Sequence, residues 1–447
     1  MARKMSQSLA LILMVALALT PCLAFAETTT SDPPYVFKVL SEQPPETPES
    51  EAHMIQMALD EYIASGHPNF SYEFETCEQN ELASRLSILI ASNDVPDMFN
   101  YEDGTAMDAI VELGAVVNID KDLPKIGLSI SDVCSDSVIA AKHTLSNYDD
   151  IYSMPSQLCS NGMFYNKEIF AQQGLEVPKT WAELEAVCDK LLAAGIQPIS
   201  SNGADGWGIT RWIMMYADRL AGNESHLLAS RNLEGWSFRN EVFVKAAAKC
   251  QEMYQKGYMG AAYNAMTTTE QYAAFLTGKA AMIYTGSWFA VSILDPSTNP
   301  MGQENIGYFT PPGIEGSEIP LEYALGLDDM SCANAICIGK AKFDEGTNND
   351  FIKFFFENVG RYQRQVGLLS PYMSDVEVVY EPIQQTLMNH LETQSKYPTL
   401  WFEAKMDAGT QDIAQYNAQL LAEGSMTPEE YCEQLAASVD KNFSAAG

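Results

Sequence analysis

The residues that usually perform catalysis are few in this chain of 447 residues and form no recognisable catalytic pattern. None of the five histidines (His53, His67, His143, His226 and His390) lies in an HExxH or HxH arrangement. No serine occupies a G-x-S-x-G turn, and neither a G-x-x-x-x-G-K-[ST] loop nor a strand-linked G-x-G-x-x-G loop is present. The 59 acidic residues form pairs by chance, so they do not by themselves indicate a glycosidase. We therefore expect no catalytic residues and a binding function.

The cysteines are scattered, without a CxxC pair or a neighbouring histidine. A zinc site needs clustered ligands, so we predict neither a metal nor a cofactor. Disulfide frameworks are typical of small secreted domains that lack a large core, and in this longer chain we expect mostly buried free thiols. The cysteines concerned are Cys77, Cys134, Cys159, Cys188, Cys250, Cys332, Cys337 and Cys432.

The first 26 residues have the pattern of a secretory signal peptide. Arg3 and Lys4 precede an apolar run at 9–19 that is too short to span a bilayer, and Ala-Phe-Ala follows at 24–26. Two outcomes stay open: cleavage after Ala26, or lipid attachment to Cys22, whose preceding residues vaguely resemble a lipoprotein box. We expect an exported protein that is extracellular, bound to the cell surface or periplasmic.

Composition limits the partners that the chain can bind. Its 26 basic and 59 acidic residues give a formal net charge of −33. Such a field repels phosphate backbones and anionic lipids, which excludes nucleic acid and membrane surfaces as partners. With 47% hydrophobic and 19% charged residues the chain is globular, and its length predicts two or three compact units.

The apolar periodicity predicts an α/β fold. Strands at 35–40, 70–74 and 98–101 alternate with helices at 51–64 and 78–91, a rhythm typical of a parallel, doubly wound sheet. A second series follows, with Thr180 and Glu183 as a capping box for one helix and Thr427 and Glu430 for another. The second series comprises strands at 151–154, 163–166, 280–285, 306–310 and 334–338 and helices at 181–194, 241–255 and 269–276.

Several longer phrases occur in a characteristic order: 95–99 (VPDMF), 151–155 (IYSMP), 164–170 (FYNKEIF), 180–184 (TWAEL), 275–282 (FLTGKAAM) and 286–288 (GSW). From about Tyr35 to the C-terminal helices, they resemble the extracellular solute-binding proteins of ABC transporters. The similarity is to the carbohydrate-binding family that includes the maltose-binding protein.

The resemblance implies a periplasmic-binding-protein-like fold with two α/β lobes, a multi-crossing hinge and a mostly helical C-terminal region. Lobe 1 would hold residues 35–156 and 328–372, and lobe 2 residues 157–324 and 380–447. Residues 1–26 would be the signal peptide and 27–34 a linker. The crossings would lie near 155–160, 324–328 and 371–380, with the ligand held between the lobes.

The resemblance also implies a function. The protein would be a monomeric receptor that captures a monosaccharide or an oligosaccharide and delivers it to the permease subunits of an ABC importer. Two alternatives stay open: a secreted glycan-processing enzyme, and a ligand-binding receptor for a sensor kinase.

Aromatic candidates follow from the shape of a sugar, whose apolar C–H face stacks on aromatic rings. Trp288 comes directly after the strand at 280–285, and the resemblance implies that it stacks on sugar. Trp207 stands at a predicted helix start and Trp401 near the C-terminal helices, where the family has cleft-facing aromatics. Packing in the core is the alternative for each of the three. Trp181 and residues 165–167 are expected to be structural.

Polar candidates for the sugar hydroxyls should follow strands, because open α/β sheets bind ligands at the carboxyl ends of their strands. They are Glu42, Gln43, Asn100, Tyr101, Glu102, Asp103, Gln157, Ser160, Asp328 and Asp329. Tyr101 best matches an aromatic of the family. Gly104 stands at the nearest match to a family carboxylate, which leaves Glu102 and Asp103 as alternatives. Cys159 replaces a carboxylate of the maltose-binding protein, so maltose is a doubtful ligand.

Overall fold

The computed structural model describes residues 34–443 except 205, 223, 318, 320–327, 330–333, 375–378 and 394–399. The described fold belongs to one compact unit, Tyr35–Gly447. The predicted signal peptide, Cys22 and most of the predicted linker lie outside the described residues. Among the described helices, none combines the length and the apolarity needed to cross a membrane.

The described strands form two sheets. The strands are β1 (Tyr35–Ser41), β2 (Phe70–Thr76), β3 (Met98–Glu102), β4 (Met154–Pro155), β5 (Cys159–Asn166), β6 (Gln197–Ser200), β7 (Ala280–Gly286), β8 (Ile306–Phe309), β9 (Asp328–Asp329) and β10 (Asn334–Ile338). The first sheet has the order β2-β1-β3-β10-β4 and the second the order β6-β7-β5-β8, with β9 paired to β5. Each sheet is the centre of one α/β lobe.

The prediction of a parallel sheet is only partly correct, because both sheets are mixed. In the first sheet β1 pairs in parallel with β2 and β3, as predicted. However, β10 is antiparallel to β3 and β4, and β5 is antiparallel to β7 and β8. The chain enters β10 from β9 beside the second sheet, not through a helix that crosses the same sheet, so a parallel arrangement is not imposed on it.

Helices surround the sheets and make up most of the last third of the described chain. They are α1 (Glu51–Ala64), α2 (Gln79–Ala91), α3 (Asp108–Glu112), α4 (Ile119–Asp122), α5 (Ile130–Val133), α6 (Asp136–Leu145), α7 (Lys167–Gln172), α8 (Trp181–Ala193), α9 (Trp207–Ala221), α10 (Ser225–Ala229), α11 (Glu241–Gln255), α12 (Thr268–Leu276), α13 (Ala290–Leu294), α14 (Lys340–Glu345), α15 (Asn349–Val366), α16 (Pro382–Thr393), α17 (Ala408–Glu423) and α18 (Pro428–Asn442). Short 3₁₀ turns occupy Gly104–Met107, Leu123–Ile126, Tyr263–Ala265, Ser287–Phe289 and Gln303–Asn305.

Cap residues fix the helix starts that the sequence predicts. Thr180 and Glu183 form the predicted capping box of α8, and Thr427 and Glu430 form that of α18. The strand predicted at 151–154 is wrong except for its last residue. Ile151 instead accepts a hydrogen bond from the N–H of Ile119 at 2.8 Å, which connects this segment to the start of α4 and not to a sheet.

Each lobe has a core of aromatic and aliphatic side chains. In the first lobe, α1 and α15 pack on each other, and the rings of Phe37 and Phe351 meet edge-on with centroids 4.6 Å apart. In the second, Trp181 and Trp212 meet edge-on at 6.1 Å, and both are buried. Trp181 is therefore structural, as predicted. The C-terminal helices α17 and α18 pack against α9 and α11 and complete the second lobe.

Three chain segments that join the lobes lie side by side. The N–H of Leu158 donates to the carbonyl of Leu369 at 2.9 Å, and the Tyr372 hydroxyl donates to the carbonyl of Pro155 at 2.6 Å. β9 pairs with the first two residues of β5. We call residues 155–160, β9 and residues 369–372 the hinge. We keep the lobe boundaries given above as a proposal.

Candidate ligand-binding cleft

The carboxyl ends of the strands that carry the candidate residues face the hinge in both sheets. At the end of β3, Glu102 pairs with Asn334, the first residue of β10. At the end of β7, Gly286 pairs with Asn161, close to the start of β5. β1 runs parallel to β3, and β6 runs parallel to β7. Residues that follow these four strands therefore flank the hinge from both lobes, at edges where open α/β sheets bind ligands.

Asn100 links the ends of β1 and β3. Its Oδ1 accepts a hydrogen bond from the N–H of Glu42 at 2.8 Å, which holds the loop after β1. The residue is only 2% exposed, and its Nδ2 has no hydrogen-bond partner. Gln43, the next residue of the loop, is exposed. The structure thus brings Glu42 and Asn100 together and leaves a buried amide donor available beside them.

Glu102 is held by side chains from the C-terminal segment. Its Oε1 accepts from the Trp401 indole N–H at 3.2 Å, and its Oε2 accepts from Gln411 Nε2 at 3.1 Å. Burial raises the pKa of Glu102, an effect that the hydrogen bond from Gln411 partly offsets. Trp401 is only 4% exposed, so it is a buried partner of Glu102 and not the open platform that the sequence suggests. Sequence reasoning missed Gln411, for which no motif gives a signal.

Asp103, the alternative carboxylate, lies in different surroundings. Its side chain is buried, one oxygen accepts from Ser153 Oγ at 2.6 Å, and the other forms an ion pair with the buried Lys142. Both oxygens are therefore engaged within the first lobe. We leave Asp103 out of the proposed ligand set, because a ligand would have to displace a buried ion pair to reach it.

Gly104 shows why the carboxylate expected near this position is absent. Its φ is +77°, and a Cβ built there would lie 2.2 Å from the carbonyl oxygen of Ala404. The Thr105 N–H donates to that same carbonyl at 3.2 Å. The segment after Trp401 therefore occupies the space that a side chain at 104 would need.

Tyr101 lies mostly within the first lobe. It packs in a cluster with Leu40 and Phe99, is 7% exposed, and has its pKa raised to about 12 by burial. The structure therefore offers at most the rim of this ring to a ligand.

Trp288 is partly exposed at the end of β7. Its indole N–H donates to the Tyr272 hydroxyl at 2.7 Å. The ring lies across Gly286: a Cβ at that position would be 2.1 Å from ring carbon Cζ3. The glycine that precedes Trp288 therefore makes room for the indole, and Tyr272 fixes its orientation.

Trp207 begins α9 and is also partly exposed. The guanidinium of Arg211, one turn later, lies 5.7 Å from the centre of its ring. Arg211 Nη1 donates to Glu403 Oε2 at 2.5 Å, and Thr210 Oγ1 donates to the other oxygen of Glu403 at 2.6 Å. Arg211 thus lies over the ring of Trp207 and connects it, through the ion pair with Glu403, to the segment that carries Trp401. Sequence reasoning missed Arg211 and Glu403, which lie 192 residues apart.

Two candidate ligand-binding residues lie in the hinge. Gln157 has a side-chain atom available to a ligand, whereas Ser160 does not. Gln157 is 8% exposed, and its Oε1 has no hydrogen-bond partner. Ser160 is fully buried, and its hydroxyl is hydrogen-bonded to that of Tyr308 at 2.8 Å. The next residue after Gln157, Leu158, accepts a hydrogen bond from Ser287 Oγ at 3.0 Å, which brings Gln157 close to Trp288 in the fold. We keep Gln157 and leave out Ser160.

The remaining candidates are only partly described. The backbones of Asp328 and Asp329 pair with Ser160 and Cys159 in the hinge, and their side chains lie outside the described atoms. Cys159 is disulfide-bonded and is an exception to the expectation of mostly free thiols. Six other cysteines are free, and all of them except Cys77 are buried. Among the described residues, no group of His, Cys, Asp and Glu could hold a metal ion.

The sequence matches known proteins over much of its length. Residues 46–327 match the family described as bacterial extracellular solute-binding protein. A multiple sugar-binding protein of Streptococcus mutans is 27% identical over 36% of this chain and 39% of the relative. An uncharacterized ABC transporter extracellular-binding protein of Pyrococcus horikoshii is 22% identical over 58% of each chain. The chain thus spans less than two thirds of the length of these relatives.

A solved structure is similar over almost the whole fold. The chain superposes on a chitin oligosaccharide binding protein with a TM-score of 0.78, 19% identity, and coverage of 92% of this chain and 99% of the other. This likeness confirms the predicted fold of two α/β lobes. The family match confirms that the protein binds a solute and is not an enzyme. By that match over residues 46–327, the chain belongs to the bacterial extracellular solute-binding proteins.

Proposed function

We propose that this protein captures a carbohydrate in the cleft beside the hinge and delivers it to the permease subunits of an ABC importer. One observation carries the proposal. Two partly exposed indole rings, Trp288 and Trp207, follow neighbouring strands of one lobe, and buried amide atoms of Asn100 and Gln157 without partners lie beside the hinge. This combination suits a ligand that is apolar on its faces and polar around its rim.

A sugar satisfies both parts of this surface. The C–H face of a pyranose stacks on an indole ring. Each hydroxyl both donates and accepts, so sugar hydroxyls can accept from Asn100 Nδ2 and donate to Gln157 Oε1. A buried polar atom without a partner costs roughly 1–3 kcal/mol, so a ligand that supplies the missing partners recovers free energy of this size on binding.

Contacts and shared chain segments connect part of the proposed ligand set. Trp207 contacts Arg211, Arg211 is paired with Glu403, and Trp401 in the same segment is bonded to Glu102. Glu102 shares β3 with Asn100, which in turn holds Glu42. The proposed set is Glu42, Gln43, Asn100, Tyr101, Glu102, Gln157, Trp207 and Trp288, with Trp401 and Gln411 as the partners of Glu102. Asp328 and Asp329 stay predictions.

The names of similar proteins support a carbohydrate as the ligand. One relative is named a multiple sugar-binding protein, and one structural neighbour is named a chitin oligosaccharide binding protein. Two platforms at adjacent strands favour an oligosaccharide over a single sugar, because each ring can hold one unit.

A thermal-shift screen of the mature protein tests this function directly. The panel contains xylo-, malto-, cello- and chito-oligosaccharides, with amino acids and polyamines as other ligand classes. A carbohydrate at a hundredfold excess over Kd should stabilise the folded protein by about 2.7 kcal/mol. Calorimetric titration and chromatography of the bound glycan then follow. Stabilisation by amino acids or polyamines alone, or steady conversion of the glycan to products, would contradict the proposal.

A further inference from the structure

We propose that the cleft selects uncharged or cationic carbohydrates and rejects anionic ones such as sugar phosphates and uronic acids. This inference rests on the proposed function and specifies its ligand class. It depends on which charged groups of the cleft have a counter-ion and which do not.

The carboxylate of Glu102 has only neutral hydrogen-bond partners. Trp401 and Gln411 donate to it, and neither carries a charge. The charged side chains that influence it are Glu403 and Arg211. Glu102 therefore presents a carboxyl group that no dedicated cation neutralises, and in its ionised form it accepts a charge-assisted hydrogen bond from a sugar hydroxyl and repels an anionic group.

Arg211 is the cation that acts on Glu102, and it already has a counter-ion. It forms its ion pair with Glu403, whose side chain is fully buried, and that carboxylate also accepts from Thr210. Glu403 therefore already neutralises the charge of the guanidinium, so an anionic ligand gains less from Arg211 than from an unpaired arginine. Breaking a buried pair is strongly unfavourable, because it leaves one partner as an isolated buried charge.

Two further cations lie where the lobes meet, and both donate to other groups. Arg231 donates to Thr105 Oγ1 at 2.7 Å and to the carbonyl of Lys405 at 2.8 Å. Lys405 Nζ donates to the carbonyl of Leu145 at 2.7 Å. Within the described part of the chain, each of these three cations thus already donates to at least one oxygen acceptor.

The atoms without partners suit a hydroxyl better than an anionic group. Gln157 Oε1 is a buried acceptor, and it needs a donor. A phosphate or carboxylate has only acceptors at neutral pH and would face this oxygen without a hydrogen bond. A hydroxyl or an ammonium donates to it. The net charge of −33 acts in the same direction at longer range, since it repels approaching anions.

The experiment compares matched sugars that differ in one charged group. The best neutral binder from the panel of oligosaccharides is titrated by calorimetry against its uronic acid counterpart and, where available, its amino-sugar counterpart. At 150 mM NaCl the acidic counterpart should bind at least tenfold more weakly than the neutral sugar. The amino sugar should bind at least as tightly as the neutral one.

Glu102→Gln removes the charge and keeps the shape of the side chain, while one of its two acceptor oxygens becomes an NH2 donor. The ratio of the Kd of the acidic sugar to the Kd of the neutral sugar should fall at least threefold in this variant. Glu73→Gln, an exposed change of equal charge on the edge strand β2, should leave the ratio unchanged. The wild type supplies an independent measurement: raising NaCl from 50 to 500 mM should reduce the discrimination, because salt screens like-charge repulsion.

The outcomes separate this inference from the proposed function. Equal or tighter binding of the acidic sugar, together with binding of the neutral one, overturns the charge selectivity and leaves carbohydrate binding in place. If the Kd ratio is the same in Glu102→Gln as in the wild type, Glu102 is not the cause of the charge selectivity, and the role proposed for Glu102 is overturned. Failure of every carbohydrate to bind overturns the proposed function and this inference with it.

Discussion

At the scale of single residues, Glu102 and Asp103 show how adjacent carboxylates acquire different roles. Glu102 accepts from neutral side chains of the C-terminal segment, whereas Asp103 is paired with Lys142 in the interior of the first lobe. The sequence placed both after the same strand and could not separate them. The decisive partner of Asp103 lies 39 residues away, and that of Glu102 lies 299 residues away.

Asp103→Asn should destabilise the protein without weakening ligand binding in the molecules that still fold. The change leaves the buried Lys142 ammonium without its counter-ion, which costs about 3–5 kcal/mol. Urea unfolding curves measure the loss, and titrations of the folded variant measure affinity. Glu102→Gln is the matched variant, and there the larger effect should fall on binding. A large loss of affinity in Asp103→Asn at unchanged stability would return Asp103 to the ligand set.

Trp288→Ala should weaken carbohydrate binding by about fivefold to 150-fold, since a stacking ring contributes about 1–3 kcal/mol. The unfolding midpoint without ligand should change little, because the ring is partly exposed. Trp181→Ala is the matched control, and truncating this buried ring should cost about 3–5 kcal/mol of stability. Paired denaturation and titration experiments distinguish the two. If Trp288→Ala loses stability and keeps its affinity, Trp207 becomes the leading platform.

At the scale of helices and strands, local sequence signals set the bounds of some elements, whereas pairing with distant segments sets the bounds of others. The bounds of α1, α11 and β10 agree with the sequence prediction, because caps, apolar periodicity and turn residues are local. The strand predicted at 163–166 begins earlier, at Cys159, because β9 and Ser287 hold its first residues. No local pattern contains that information, since the partners come from distant parts of the chain.

The start of α1 should make stability depend on pH. Burial raises the pKa of Glu51 to about 7, and the residue lies beside Ser156 and Tyr372 of the crossing segments. Between about pH 4.5 and 7 the folded state then binds a proton that the unfolded state has released. The contribution of Glu51 to stability therefore falls as pH rises through this window and is constant above it.

Glu51→Gln should remove this contribution. The free energy of unfolding of the wild type, relative to that of Glu51→Gln, should fall by about 1–3 kcal/mol from pH 4.5 to pH 8. Urea titrations at several pH values measure the difference. Glu61→Gln, an exposed change on the same helix, is the control. Parallel pH profiles of wild type and Glu51→Gln would show that Glu51 does not titrate in this window.

At the scale of the whole molecule, the cleft is bordered by contacts that join the two lobes. Glu102 is bonded to Trp401 and Gln411, and Thr105 is bonded to Ala404 and Arg231. Glu102 is the last residue of β3 and Thr105 follows that strand, whereas their partners belong to segments that pack with the second lobe. Because these contacts connect the two lobes outside the hinge, opening the cleft must break or rearrange them.

Ligand binding should therefore shift an equilibrium between open and closed arrangements of the lobes, because residues of both lobes reach the ligand together only when the cleft is closed. Small-angle scattering of the wild type should show a smaller radius of gyration at ligand saturation than without ligand. Glu102→Ala removes the acceptor shared by Trp401 and Gln411, so its ligand-free form should be more expanded than that of the wild type. Glu73→Ala, on the outer strand β2, should scatter like the wild type in both states. A radius of gyration that does not change when calorimetry shows saturation would mean that the lobes do not move relative to each other on binding.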